Sequence, residues 1–277
     1  PVAAALVERL FLGADPLAAP LPGDATRHPM PNPEMTHVSP RDIDMVLEFA
    51  PQPVTLYVEL GTYEGGSAIL AAKRAEKRAA ERGEAATETS ILAVDTFLGD
   101  LHVLWGRTPA ERRELLRPDG TVALFDRFRA NVRRAQQANV ILPLPATSVV
   151  ALRLLASLAD RALAPRPQVI YLDSAHEEGE VLLELGLAWA AVAPGGIVFG
   201  DDWILPREGY DGDGPVQRDV LRFAELHASE LDDAFGPRVQ PMRTLGRARP
   251  GLFVSYLSFQ WFMRKRPDAP DAAPRAG

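Results

Sequence analysis

Two short apolar runs constrain this chain more than any other feature. QVIYLDSAH at residues 168–176 and PGGIVFGDDW at residues 194–203 each end in carboxylates, and the stretch between them has the length and apolar spacing of one helix. A strand, a crossover helix and a second strand make parallel neighbours whose C-terminal ends emerge at one sheet edge. That edge then carries Asp173 and the Asp201–Asp202 pair. Three carboxylates gathered with water and substrate oxygens suit a hard divalent cation such as Mg2+.

The remaining segments continue the alternation. VTLYVEL at residues 54–60 is a β-rich run, and Gly65-Gly66-Ser67 opens an alanine-rich helix through about Arg82. This is a strand, a glycine turn and a helix, an arrangement in which backbone amides approach a ligand closely and the helix N-terminus favours negative charge. It is not the G-x-G-x-x-G of dinucleotide binding, because Tyr63 occupies the second glycine position. ILAV at residues 91–94 is the next strand and ends at Asp95, where an acid can accept hydrogen bonds from ribose hydroxyls. A third strand is expected over 140–144, and Thr147-Ser148 caps a helix over 149–163.

Around this frame, Ser39 before Pro40 starts a helix through about Phe49. Residues 96–120, with Phe97, His102 and Trp105, read as one long connection of the lid or binding-loop kind. The arginines of the amphipathic helix over 124–138 read as solvent-exposed. ILPREGYDGDGP at residues 204–215 reads as a mobile gate beside the carboxylates. A helix follows over 216–231. A buried late strand, antiparallel to its neighbours, lies within GLFVSYLSFQWF at residues 251–262. Residues 1–36 form a helix and a proline-rich segment, 37–263 one catalytic domain, and 264–277 a disordered tail. The fold expected is α/β, a Rossmann-like, mostly parallel seven-stranded sheet with helices on both faces.

Composition narrows the partners. The 277 residues are 47% hydrophobic, enough for a substantial single core, and the net charge of −7 argues against a nucleic-acid backbone as partner. There is no cysteine, which excludes disulfide scaffolds, thiolate metal sites and cysteine nucleophiles. No apolar run reaches the roughly 18 residues that span a bilayer. A cytoplasmic protein is expected, with no membrane partner, and a homo-oligomer is compatible with the sequence.

The order VELGTYEGGSA, ILAVDTF, QVIYLDSAHEEG, GGIVFGDDW resembles the class I S-adenosylmethionine-dependent methyltransferases. More narrowly it resembles the metal-dependent O-methyltransferases related to macrocin and other antibiotic-sugar methyltransferases, with cephalosporin-hydroxylase-like proteins nearby, over roughly residues 37–235. The resemblance implies that Glu59, Gly61, Tyr63, Gly65 and Ser67 surround the methionine and ribose parts of S-adenosylmethionine, with Asp95 as the ribose-binding acid. It implies that Asp173, Asp201 and Asp202 bind Mg2+ or another divalent cation, and that His176 stands where some members carry a general base. The glycine signature is reduced here to Gly61 and Gly65-Gly66.

The reaction implied is methyl transfer to a hydroxyl of a small molecule, such as a sugar, catechol or polyol. A divalent ion lowers the pKa of a coordinated hydroxyl and orients it, and a nearby base takes the proton. His176 is the preferred base, since an unperturbed imidazole titrates near neutrality, and Asp173 is the second candidate. The rival readings are a nicotinamide-dependent oxidoreductase, a metal-dependent hydrolase, and a non-catalytic cofactor-binding protein.

Overall fold

The computed structural model describes residues 2–23, 36, 38–100, 104–174, 176–203, 214–235, 245–255 and 258–268. His102 and residues 204–213 of the expected gate lie outside them, as do residues 269–277 of the tail.

The described chain holds eight helices and eight strands: α1 Val2–Phe11, α2 Pro40–Phe49, β1 Leu56–Leu60, α3 Gly66–Glu81, β2 Ser90–Asp95, α4 Pro109–Leu115, α5 Leu124–Arg134, β3 Ile141–Pro145, α6 Ser148–Asp160, β4 Val169–Leu172, α7 Glu180–Ala191, β5 Ile197–Gly200, α8 Pro215–Leu226, β6 Leu245–Arg249, β7 Leu252–Ser255 and β8 Trp261–Arg264. The strands form one sheet in the order β3-β2-β1-β4-β5-β8-β7-β6. β1 to β5 are parallel, and the three late strands pair antiparallel: β8 with β5, β7 with β8, β6 with β7. The sheet is therefore α/β and mostly parallel as expected, with eight strands where seven were expected. The extra strand arises because β7 stops at Ser255 and the chain returns as β8.

Side-chain alternation along the strands builds two cores. Tyr57, Ile91, Ala93, Ile141, Tyr171 and Phe199 face the layer of α2, α3 and α5. Leu56, Val58, Leu92, Leu142, Ile170 and Val198 face that of α1, α6, α7 and α8. The strands read as continuous apolar runs because both faces are covered.

Two expectations are corrected. The connection over 96–120 contains α4, whose Thr108 accepts from the Glu111 amide while Glu111 accepts from the Thr108 amide, with Pro109 in the first turn. The arginines of α5 are not a solvated face. Arg127 and Arg129 are buried, Arg127 pairs with Glu64 at 3.2 Å, and Arg129 and Arg133 donate to the Ala19 and Leu17 carbonyls respectively. A cation on the inward side of a helix is retained when fixed acceptors meet it. Here they come from the glycine turn and from the segment after α1.

Candidate active site

In this strand order β1 is flanked by β2 and β4, so the chain reverses its winding between β1 and β4. Ligands of open α/β sheets bind in the crevice outside the strand C-termini at such a point. Every site residue expected from sequence lies at that edge. Gly61 is required there by packing: it adopts φ +82°, and a Cβ would sit 1.9 Å from the Asp173 carbonyl oxygen. Gly65, at φ +91°, caps α3, where a Cβ would meet the Phe128 ring at 3.0 Å. Both glycines thus draw the turn tightly over the sheet.

Glu59, the penultimate residue of β1, is fully buried and accepts from the Ser67 hydroxyl at 2.7 Å. Its Oε2 is buried without a hydrogen-bond partner among the described residues. Burial, with the Asp95 charge adding to it, raises Glu59 from 4.5 to about 7, against the opposing bonds from the Ser67 and Thr62 hydroxyls and the Ala68 amide. Asp95 at the end of β2 accepts from the Tyr63 amide at 2.9 Å and the Phe97 amide at 2.7 Å. It thereby ties the glycine turn to the next strand. Burial raises Asp95 above its ordinary value despite these bonds.

The second half of the edge is an acidic centre with one imidazole. His176 Nε2 lies 2.7 Å from Asp202 Oδ2 and 3.9 Å from Asp173 Oδ1. One ligating atom from each of Asp173, His176 and Asp202 falls within 4.8 Å of the others. Asp201 takes a different place: its Oδ1 accepts from the Asp202 amide at 2.8 Å, and its carbonyl accepts from Trp261 Nε1 at 3.0 Å. Asp202 itself has φ +60°, a left-handed conformation that turns its carboxylate toward His176. The hydrogen bond to Asp202 raises His176 from 6.5 to about 9, so in the free protein the ring is cationic at neutral pH. Burial and the charges of Asp201 and Asp202 hold Asp173 well above the usual carboxylate range.

Three positioning groups were missed from sequence. Tyr171 donates to Asp173 Oδ2 at 3.2 Å; the period of two that puts residues 171 and 173 on one face could have found it. Glu184 of α7 is buried and accepts from Ser174 at 2.9 Å and from Ser148. Asp219 of α8 is buried and accepts from the amides of Gly179 at 2.8 Å and Leu182 at 3.2 Å. Gly179 is the N-cap of α7 and has no side chain to cap it, so α8 supplies the acceptor. Glu184 lies between Val181 and Leu185 and Asp219 between Val216 and Val220, on the inward faces of their helices. An acid on an apolar helix face is a readable signal.

A separate cleft of about 370 Å³, lined by Leu47, Val54, Ala75, Arg78, Arg82 and Thr89 among others, opens beside the start of β1 and β2. It lies at the opposite sheet edge from the acidic centre and holds none of these residues.

A doubly wound sheet with a glycine turn after β1, an acid closing β2 and a carboxylate centre after β4 and β5 belongs to the class of nucleotide-cofactor-binding α/β enzymes. The family follows from sequence: the methyltransferase-domain model matches residues 58–203, more than half of the chain, and the chain belongs to that family. It is a methyltransferase. No curated protein matches the chain by sequence. Solved structures similar to it include the O-methyltransferase from Bacillus cereus in complex with SAH, at 15% identity and TM-score 0.49, covering 95% of this chain and 96% of that one. The O-methyltransferase TomG from Streptomyces achromogenes, involved in tomaymycin synthesis and in complex with SAM, is 13% identical with TM-score 0.46, covering 95% and 87%. Cofactor-bound Rv0187 from MTB is 14% identical with TM-score 0.47, covering 95% of each chain. Among the described residues no helix is long and apolar enough to cross a membrane.

Proposed function

We propose that the protein transfers the methyl group of S-adenosylmethionine to a hydroxyl of a small molecule, a sugar, catechol or polyol-like acceptor, with help from a divalent cation. The observation that carries this reading is the meeting of Asp173, His176 and Asp202 at the same sheet edge as the buried Glu59. The residues present fit both groups. Glu59 has a buried carboxylate oxygen without a partner, as a site for the cofactor's ammonium would. Asp95 uses its two amide bonds to fix the turn and keeps lone pairs for ribose hydroxyls. Gly61, Tyr63, Gly65 and Ser67 form the turn around that cofactor. Asp173 and Asp202, with Asp201 beside them, offer the hard oxygen donors that Mg2+ or a similar ion takes.

A bound divalent ion supplies Lewis acidity, lowering the pKa of an acceptor hydroxyl. The rest falls to the chain. With S-adenosylmethionine bound, the methyl group would pass from the sulfonium sulfur, left as a neutral thioether, to the acceptor oxygen, and the hydroxyl proton would need a base. His176 can take it only as the neutral ring. In the free protein Asp202 does most to hold the ring protonated, and a divalent ion held by Asp202 would weaken that hold. Asp173 is the alternative acceptor of the proton.

The test is calorimetric titration of S-adenosylhomocysteine into wild type, Glu59→Ala and Asp202→Asn. Glu59→Ala is expected to weaken binding about tenfold or more, while Asp202→Asn binds normally but transfers no methyl group. Absence of S-adenosylhomocysteine binding by the wild type would refute the reading.

A further inference from the structure

The acidic centre depends on where Asp202 points, and Asp202 stands in a conformation that its own chemistry does not favour. Its φ of +60° lies in the left-handed region, which destabilises a residue carrying a side chain and persists where the surroundings over-determine it. Both flanks of Asp202 are pinned from one place, the end of the connection between β7 and β8. On one side the Asp201 carbonyl accepts from Trp261 Nε1 at 3.0 Å. On the other the Trp203 amide donates to the Phe259 carbonyl at 3.0 Å. The φ and ψ of a residue relate its two rigid peptide planes. Fixing the carbonyl of the plane before Asp202 and the amide of the plane after it therefore sets both angles.

The sequence allows this grip at Gly200. Trp261 stands opposite Gly200 in the β5–β8 ladder, and a Cβ there would lie 2.3 Å from the indole. Without one, the ring crosses the strand and reaches the next carbonyl. Trp203 and Trp261 are buried in the same apolar core, which holds both anchors in place. The connection is in turn held from outside the sheet. Phe259 is itself left-handed at φ +56°, and its amide donates to the Ser255 carbonyl at 3.0 Å while the Ser255 amide donates to the Gln260 carbonyl at 2.8 Å. Beside it, the buried Ser258 donates to the buried Asp42 in the first turn of α2 and lies 2.9 Å from Ser255 Oγ. An apolar pair could hold this connection against α2, whereas a hydrogen-bonded pair also fixes its direction.

We propose that the β7–β8 connection is the positioning device of the acidic centre: Trp261 and the Phe259 carbonyl set the backbone of Asp202, and Asp42 holds the connection from α2 through Ser258. The Asp202 carboxylate is thereby offered to a divalent cation in a fixed direction. Groups that orient a metal-binding carboxylate govern affinity without touching the ion. The inference rests on the cation-assisted reading above, and it gives Asp42, Ser258 and Trp261 positioning roles in that centre.

The experiment titrates the full chain, stripped by chelator, with Mn2+ and follows the free ion by electron paramagnetic resonance. S-adenosylhomocysteine affinity and thermal melting are measured on the same samples. Trp261→Phe keeps a buried ring and removes the indole donor. Asp42→Ala cuts the anchor on α2, and Asp42→Asn keeps an acceptor for Ser258. Trp261→Phe and Asp42→Ala are each expected to bind Mn2+ about tenfold or more weakly than wild type, with Asp42→Asn close to wild type. S-adenosylhomocysteine affinity should stay within about twofold in all three. A role in packing alone would lower the melting temperature and leave the Mn2+ affinity of the folded protein unmoved. That result in either variant, an equal loss in Asp42→Asn and Asp42→Ala, or a parallel loss of S-adenosylhomocysteine affinity would overturn the inference while leaving the cation reading standing. Failure of the wild type to bind Mn2+ overturns the cation reading, and this inference with it.

Discussion

At the residue scale, Glu59 and His176 are held away from their ordinary titration by opposite means. Glu59 is raised to about 7 mainly by burial. A carboxyl with a raised folded value favours the native state while protonated, so its contribution is complete below 4.5 and is lost as pH rises toward 7. Stability of the cofactor-free protein should therefore fall over that window by an amount on the order of 3 kcal/mol. Denaturant melts of Glu59→Gln should lack most of this slope, and an identical slope in the variant would show that Glu59 is not its source. For His176 the sign is the same over a higher window: a base raised to about 9, first by its hydrogen bond to Asp202, contributes stability below 6.5 that disappears as pH climbs through 9. In turnover, His176→Ala is expected to lower kcat by a factor of about 100 to 1,000 with little change in cofactor affinity. An unchanged rate-pH profile would shift the base role to Asp173.

At the element scale, the loop from Asp173 to Gly179 is positioned by two helices. Glu184 holds it through Ser174, and Asp219 holds the start of α7 from α8. Asp219→Ala removes the only cap described for α7 and should cost about 1–2 kcal/mol. Because the same loop carries His176, kcat should fall further than KM rises, with partial recovery in Asp219→Asn. A stability loss with unaltered kcat would reduce Asp219 to a helix cap. This scale also shows where the sequence was readable. Ser39 and Thr147 cap α2 and α6 as their residue types require, and β1, β2, β4 and β5 fall within or beside the apolar runs that announced them. α4 was announced too, by Thr108-Pro109 and Glu111, but was obscured by the length of the connection around it. The burial of Arg127 and Arg129 was not readable, because their acceptors, Glu64 and the Ala19 carbonyl, lie 63 and 110 positions away in sequence.

At the scale of the whole molecule, strand order does most to make the site. Placing β1 between β2 and β4 brings Gly61 against Asp173 and sets the glycine turn beside the acidic centre. Five parallel strands were legible because their apolar runs alternate with helical periods. The β6–β7–β8 arrangement was not, since a run such as GLFVSYLSFQWF does not reveal where it doubles back. The approach of His176 to Asp202, 26 positions later, also depends on the fold: β4 and β5 must be adjacent and in register. The sequence indicated three carboxylates at one edge, whereas in the folded chain Asp173, His176 and Asp202 converge and Asp201 braces the turn.

We propose that the convergence of Asp173, His176 and Asp202 assists methyl transfer through a divalent cation. The direct measurement is the initial rate of S-adenosylhomocysteine formation with 1,2-dihydroxybenzene, in protein stripped by chelator and then titrated with Mg2+ or Mn2+. The rate is expected to be at least about 100-fold lower in chelator, restored on adding the ion to wild type and not to Asp202→Asn. Full activity in excess chelator would contradict it.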